Sequence, residues 1–293
     1  MVRKIICPVS GINTLLVVCS AIFLLLLAAL FMATGAIHAV PSGVTISRIV
    51  SLSPSITDQV NDLGAAYMLA GVTAFNPEYT GDAAVVGGFT RPDMEKIIRL
   101  SPDIIFVSDE DSIQPRLMAE RFGLNILRFG RVYNFNDICG NYLRLAHLIG
   151  RGDCGRGMVS FYRDRLGRIK KPERIARVVF LVSVRPLITV SGESYINSII
   201  EDAGGVNLFH DENTPYPILS LEYLLMADPD AVVTMNADDR DYLASMLEDY
   251  GGARFVRLSN IFATGDGSVP YYSPERYVES VEKFALIFRG IKQ

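Results

Sequence analysis

Two hydrophobic rhythms alternate along this chain. Short apolar runs of strand length give way to stretches whose apolar positions recur at i, i+3 and i+4, the spacing of one helix face. Arg48–Leu52 (RIVSL) reads as a strand, and Ser53-Pro54 as a helix start with serine as N-cap and proline at the first helical position. Ile56, Val60 and Leu63 supply the buried stripe, and Gly64 the stop. Strands follow at Leu69–Thr73 and Ala84–Val86, a helix near Pro115–Phe122 stopped by Gly123, and a strand at Asn125–Phe129. Ile138, Tyr142, Leu145 and Ile149 keep helical spacing from about Asn136. Gly150 to Gly157 breaks that pattern, and Met158–Ile169 resumes it as an Arg-rich helix ending in Lys170-Lys171-Pro172. Beyond it, Arg177–Leu181 repeats the opening strand, and a helix from Ser194 is closed by Ala203-Gly204-Gly205. A helix at Asp239–Asp249, a strand at Phe255–Leu258 and a final helix capped by Ser273-Pro274-Glu275 complete the series. Strands alternating with helices predict an α/β fold with parallel pairing.

One unit of this pattern occurs twice. DMEKIIRLSPDIIFV (Asp93–Val107) and SLEYLLMADPDAVVT (Ser220–Thr234) align at a shift of 127 residues. Glu95 meets Glu222, and Pro102-Asp103 meets Pro229-Asp230. Each copy reads as a short helix, a Pro-Asp turn and a strand. Two distant copies predict two lobes of similar build, at 47–150 and 173–293, joined by a connecting helix within 151–172. Taken singly, a glutamate in a first helical turn only complements the helix dipole. At the same place in both lobes, Glu95 and Glu222 could present two matched negative points to a partner.

The first 39 residues stand apart. Arg3 and Lys4 precede an apolar run from Leu15 to about Ala33, and no further Lys, Arg, Asp or Glu occurs before Arg48. This describes an export signal, or, since the run nearly spans a bilayer, an uncleaved anchor. Either places the body outside the cytoplasm. Without Arg3 and Lys4 the chain holds 26 basic and 32 acidic residues, a net charge of −6, which disfavours nucleic acid as a partner. The remaining cysteines, Cys139 and Cys154, are expected too far apart to pair.

Enzyme signals are sparse. There is no phosphate loop, dinucleotide fingerprint or G-x-S-x-G elbow, and only His147 and His210 lie beyond the leader. Neither a catalytic residue, a bound metal nor a cofactor is expected. The loops carry aromatic side chains with isolated charges: Phe75, Tyr79, Phe89 and Arg91 in the first lobe, and Arg185, Tyr216, Asp266, Tyr272 and Arg276 in the second. Ligands of α/β sheets collect at the carboxyl ends of strands, so both sets could face one cleft; each could equally pack against its own lobe.

Four segments carry a family resemblance: RIVSLSPSITDQVNDLGAAYMLAGVT (Arg48–Thr73), VVGGFTRPDMEKIIRLSPDIIF (Val85–Phe106), VSGESYINSIIEDAGGVNLF (Val190–Phe209) and YPILSLEYLLMADPDAVV (Tyr216–Val233). They resemble the helical-backbone substrate-binding proteins of ABC importers, the receptors for cobalamin, ferric siderophores and haem. The resemblance implies two Rossmann-like lobes with parallel sheets, joined by a long helix, with the ligand in the cleft between them. It implies an extracytoplasmic monomer that delivers a metal chelate to a transmembrane permease, with Glu95 and Glu222 docking onto permease arginines. Haem receptors of the family place an axial tyrosine after the glycine that here is Gly88. This chain has Phe89, which counts against tyrosine-ligated haem unless Tyr79, Tyr133 or His210 substitutes. Cobalamin receptors line their cleft with tryptophan; this chain has none, but Tyr216 and Phe89 fall where two such aromatics would be. Arg91, Arg185 and Arg276 suit an anionic chelate such as a siderophore. An oxyanion such as molybdate at the helix after Ser53, a membrane-tethered sensor, and an enzyme on the same scaffold are the alternatives.

Overall fold

The computed structural model describes residues 46–75, 81–88, 91–109, 121–250, 253–265 and 272–292. Its first sheet contains β1 (Ile49–Ser51), β2 (Leu69–Val72), β3 (Ala84–Val85), β4 (Ile104–Ser108) and β5 (Ile126–Phe129). All are parallel, in the order β3-β2-β1-β4-β5. The second contains β6 (Ala176–Val184), β7 (Leu187–Thr189), β8 (Gly205–Asn207), β9 (Ala231–Thr234) and β10 (Ile261–Ala263). Here β10, β9, β6 and β8 are parallel, but β7 runs antiparallel to β6. The expected parallel sheets are present in both lobes, and the second adds β7 as one antiparallel strand. Only Arg185 and Pro186 separate β6 from β7, and so short a link permits a hairpin but no crossover.

The repeat is legible in backbone detail. Helix α2 (Met94–Arg99) and helix α6 (Leu221–Ala227) start on capping side chains, Asp93 accepting from Lys96 N–H and Ser220 from Tyr223 N–H. Ser101 and Asp228, one shift of the repeat apart, both take left-handed backbone, with φ 46° and 42°. Asp103 N–H donates to Arg48 C=O at 2.9 Å, and Asp230 N–H to Arg177 C=O at 2.7 Å. Their carboxylates accept the Arg48 and Arg177 N–H in return, at 2.8 and 2.9 Å. Asn125 and Asn260 then donate to the Asp103 and Asp230 carbonyls. Each Pro-Asp turn thus ties together the starts of three strands. The backbone N–H groups of Ser47 and Arg48, with the Ser47 hydroxyl, hold the Asp103 carboxyl below its ordinary range.

Among the described residues the α-helices are α1 (Pro54–Asp62), α2, α3 (Phe135–Leu148), α4 (Gly152–Gly167), α5 (Tyr195–Asp202), α6, α7 (Ala237–Met246), α8 (Arg254–Arg257) and α9 (Pro274–Arg289). Three differ from the pattern-based reading. Connector α4 begins inside the glycine-rich stretch expected to break the chain, leaving only Ile149, Gly150 (φ 71°) and Arg151 between it and α3. Gly155 explains this: a Cβ there would lie 2.5 Å from the Ala146 methyl, so the glycine permits helices to approach rather than ending one. Phe255–Leu258, expected as a strand, is the short helix α8, with Phe255 buried and Arg254 turned to Asp230. The strand is β10, three residues on, after Ser259 reverses the chain at φ 55°. Ser53 does not cap α1; its hydroxyl is buried and makes no hydrogen bond among the described residues, although Pro54 holds the first helical turn. Most of the helix expected near Pro115–Phe122 lies outside the described residues. Cys139 is buried and Cys154 exposed, and both are free thiols.

Helix α9 packs against α3 and α4 as well as α5, so the last helix of the chain touches elements of both lobes. Arg165 of α4 grips Glu282 of α9 with two hydrogen bonds, at 2.8 and 2.6 Å. Among the described residues no helix is long and apolar enough to cross a membrane; the apolar N-terminal run lies outside them.

Candidate functional site

Helix α1 is buried on more faces than its apolar stripe accounts for. Ser55, Asp58 and Gln59 are covered along with Ile56 and Val60. What covers them is the segment after β10. Tyr272 N–H donates to Ser55 Oγ at 3.3 Å, Gln59 Nε2 donates to Tyr272 C=O at 2.7 Å, and the Tyr272 hydroxyl pairs with Ser108 Oγ at 2.5 Å. Arg276 follows, its Nε 3.2 Å from Asp58 Oδ2. Ser108 ends β4, and α1 leaves the end of β1. These neighbouring strands mark the point where the order of the first sheet reverses, the customary crevice of an α/β sheet. Tyr272 fills that crevice, 5% exposed, with its ring edge-on to Tyr195 of α5. Because it arrives from beyond the carboxyl end of β10, it also brings the carboxyl edges of the two sheets together.

The remaining first-lobe candidates follow β2 and β3, which lie on one side of β1 in the same sheet. Phe75 follows β2 and is half exposed, next to Gly88 at the end of β3. Gly87 takes φ 94°, and a Cβ there would meet the Arg91 carbonyl at 2.9 Å; a bridge between Gly87 and Pro92 closes the loop and leaves Arg91 exposed at its base. In the second lobe Arg185 sits at the carboxyl end of β6, its guanidinium 4.3 Å from the Tyr242 ring centre. Tyr216 is exposed on a segment that runs along β7, where Pro215 and Pro217 carbonyls accept from Ser191 and Thr189 N–H. Tyr79, Phe89 and Asp266 lie outside the described residues. Of the substitute haem ligands, Tyr133 is exposed and His210 rests 3.8 Å from Glu201. No cluster of three or more metal-binding side chains occurs among the described residues.

The sequence pointed to Tyr272 and Arg276 as loop residues but not to their engagement with α1. It missed the acidic group around them altogether. Burial, with Asp58 and Glu275 close by, pushes the Asp62 carboxyl up to about 7, against the opposing pull of Ser273 and Arg276. Buried Ser55, Asp58 and Gln59 in a helix with an ordinary apolar stripe were the available signal.

Glu95 and Glu222 occupy matching places. Helix α2 starts just past the carboxyl end of β3, where Asp93 N–H donates to Val86 C=O at 2.7 Å. Helix α6 starts level with the carboxyl end of β6, since Leu219 N–H donates to Leu187 C=O and Leu187 pairs with Val184. Both glutamates are exposed. Its own backbone N–H and the Ser220 hydroxyl hold Glu222 below the ordinary range, keeping it ionised. Exposed Ile98 on α2, and Tyr223 and Met226 on α6, put apolar surface beside each one.

Comparison with known proteins now decides the class. A family model described as periplasmic binding protein matches residues 49–251. The chain belongs to the periplasmic binding protein family. Among its relatives is the vitamin B12-binding protein of Vibrio vulnificus, 27% identical over 193 residues, covering 64% of this chain and 70% of the relative. The periplasmic vitamin B12 binding protein of Vibrio cholerae superimposes with a TM-score of 0.69 at 22% identity, covering 85% of this chain and 99% of that one. A periplasmic haem-binding protein of the same organism gives 0.71 at 18% identity, covering 82% and 97%. These likenesses support the two-lobed α/β fold, and family membership makes the chain a binding protein, not an enzyme, with an extracytoplasmic place of work.

Proposed function

We propose that this periplasmic binding protein captures a corrinoid or an iron complex, with cobalamin the first candidate, and hands it to the permease of an ABC importer. The observation that carries the reading is Tyr272, which bonds to Ser108 and Ser55 of the first lobe and packs on Tyr195 of the second; Phe75 and Arg91 of one lobe and Arg185 of the other are proposed to face the cleft beside it. A half-exposed aromatic ring offers a flat face to a macrocycle, and exposed arginines offer charge-assisted hydrogen bonds to its carboxamide or carboxylate periphery. Tyr216 extends the proposed lining; Phe89, Tyr79 and Asp266, outside the described residues, are proposed as ligand-binding on the sequence alone. Tyr272 and Arg276 hold the wall in place from behind. Relatives named for vitamin B12 favour the corrinoid over haem.

Glu95 and Glu222 are the proposed docking points, one per lobe. Each stands in the first turn of a helix beginning at the carboxyl edge of its sheet, next to exposed apolar side chains that would be covered on docking. The test is a titration of the purified protein with cyanocobalamin, haem, a ferric hydroxamate and molybdate, followed by tyrosine fluorescence, since the chain has no tryptophan. Cyanocobalamin should bind at micromolar concentration or below, and molybdate should not. Failure of all three chelates at that level would overturn the proposal.

A further inference from the structure

The two Pro-Asp turns are nearly superimposable in their backbone bonds, yet they differ in what surrounds the carboxylate. Asp103 is satisfied by backbone N–H groups and the Ser47 hydroxyl, while the Arg48 guanidinium turns away to the Leu100 carbonyl. Asp230 is only 4% exposed and is framed by two arginines, with Arg254 at 3.1 Å and Arg174 at 3.6 Å from the same oxygen, Oδ1. That oxygen makes no well-directed hydrogen bond among the described residues. One carboxylate cannot neutralise two guanidinium groups, and both line a concave groove of about 700 Å³ at the amino-terminal edge of the second sheet.

Three more cations line the same groove: Lys170, Lys171 and Arg289. Among the described residues Glu173 is the one other carboxylate there, so five cations face two acids. The Lys171 ammonium reaches the Glu201 carbonyl at 3.5 Å and Arg289 the Lys170 carbonyl at 3.2 Å, neutral acceptors, and neither cation has an ion pair among the described residues. This concentration of positive charge is not the by-product of a basic protein, because the chain as a whole carries a net −4. Gathering like charges around a hollow raises the local potential, and arginine forks match oxyanion geometry with two parallel hydrogen bonds. A flat bilayer would not enter such a hollow, whereas a small molecule would.

We infer that this groove is a second binding site, separate from the cleft, for a small polyvalent oxyanion such as a diphosphate or polycarboxylate. Arg174 and Arg254 grip one anionic group beside Asp230, and Lys171 and Arg289 the next. The test is calorimetric titration of the full chain with pyrophosphate at constant ionic strength, in the natural protein and in Lys171→Gln and Arg289→Gln, neither of which removes a partner of Asp230. A saturable site near one per chain is expected, weakened roughly tenfold in each variant with an unchanged melting temperature. Arg254→Gln should weaken it further, and a folded Arg254→Gln protein that binds as tightly as the natural one would overturn the inference. So would the absence of saturable binding, or an affinity in Lys171→Gln and Arg289→Gln equal to that of the natural protein.

Discussion

At the scale of single residues, Tyr272 is the side chain on which the junction turns. Its hydroxyl, carbonyl and N–H all bond to the first lobe, and its ring packs on the second. Tyr272→Phe removes the bond to a buried serine and should lower unfolding free energy by about 1–2 kcal/mol in urea titrations. An unchanged midpoint would mean the bond carries no weight. Asp62 makes a second prediction with a definite sign. With its carboxyl raised to about 7, the folded protein keeps a proton that the unfolded chain has already released. Stability from this group is therefore present at acid pH and lost as pH rises from about 4 to about 7, by about 2 kcal/mol after allowing for its partial solvent contact. Asp62→Asn should flatten that part of the pH profile and stabilise the protein at neutral pH; a variant less stable at pH 8 than the natural protein would contradict the assignment. Neither effect was readable from the sequence, because the first joins residues 164 positions apart and the second brings Glu275 to Asp62.

At the scale of elements, the regular parts were legible and the exceptions have local causes. The repeated helix-turn-strand unit was readable because its apolar spacing, its capping residues and its Pro-Asp turn agree with one another. The strand expected at Phe255–Leu258 failed because a four-residue apolar-charged run fits a helical turn as well as a strand, and the ion pair of Arg254 with Asp230 selects the turn. Glycine misled at 150–157 because its two uses, stopping a helix and letting helices touch, look alike in sequence. Gly155→Ala tests the second use. Its methyl would stand 2.5 Å from that of Ala146, so α3 and α4 must move apart, costing about 1–3 kcal/mol in thermal or urea unfolding. Gly157→Ala, with open space at its Cβ, should cost nothing of the kind.

At the scale of the whole molecule, two similar lobes are pinned at their carboxyl edges, tied along α4 and α9, and marked by one exposed glutamate each. On the proposed function, this geometry separates capture from delivery. Glu95→Lys with Glu222→Lys should abolish uptake in cells while leaving ligand affinity unchanged, because neither side chain lies at the proposed lining; a matching loss of affinity would place them in the cleft instead. The central claim is that one ligand is held between the two carboxyl edges, and hydrogen–deuterium exchange with and without cyanocobalamin tests it most directly. The account predicts slowed exchange in both lobes at once, in the segments after β2 and β3 and in those after β6 and β10. Protection confined to one lobe, or to the basic groove at the far edge of the second sheet, would contradict it.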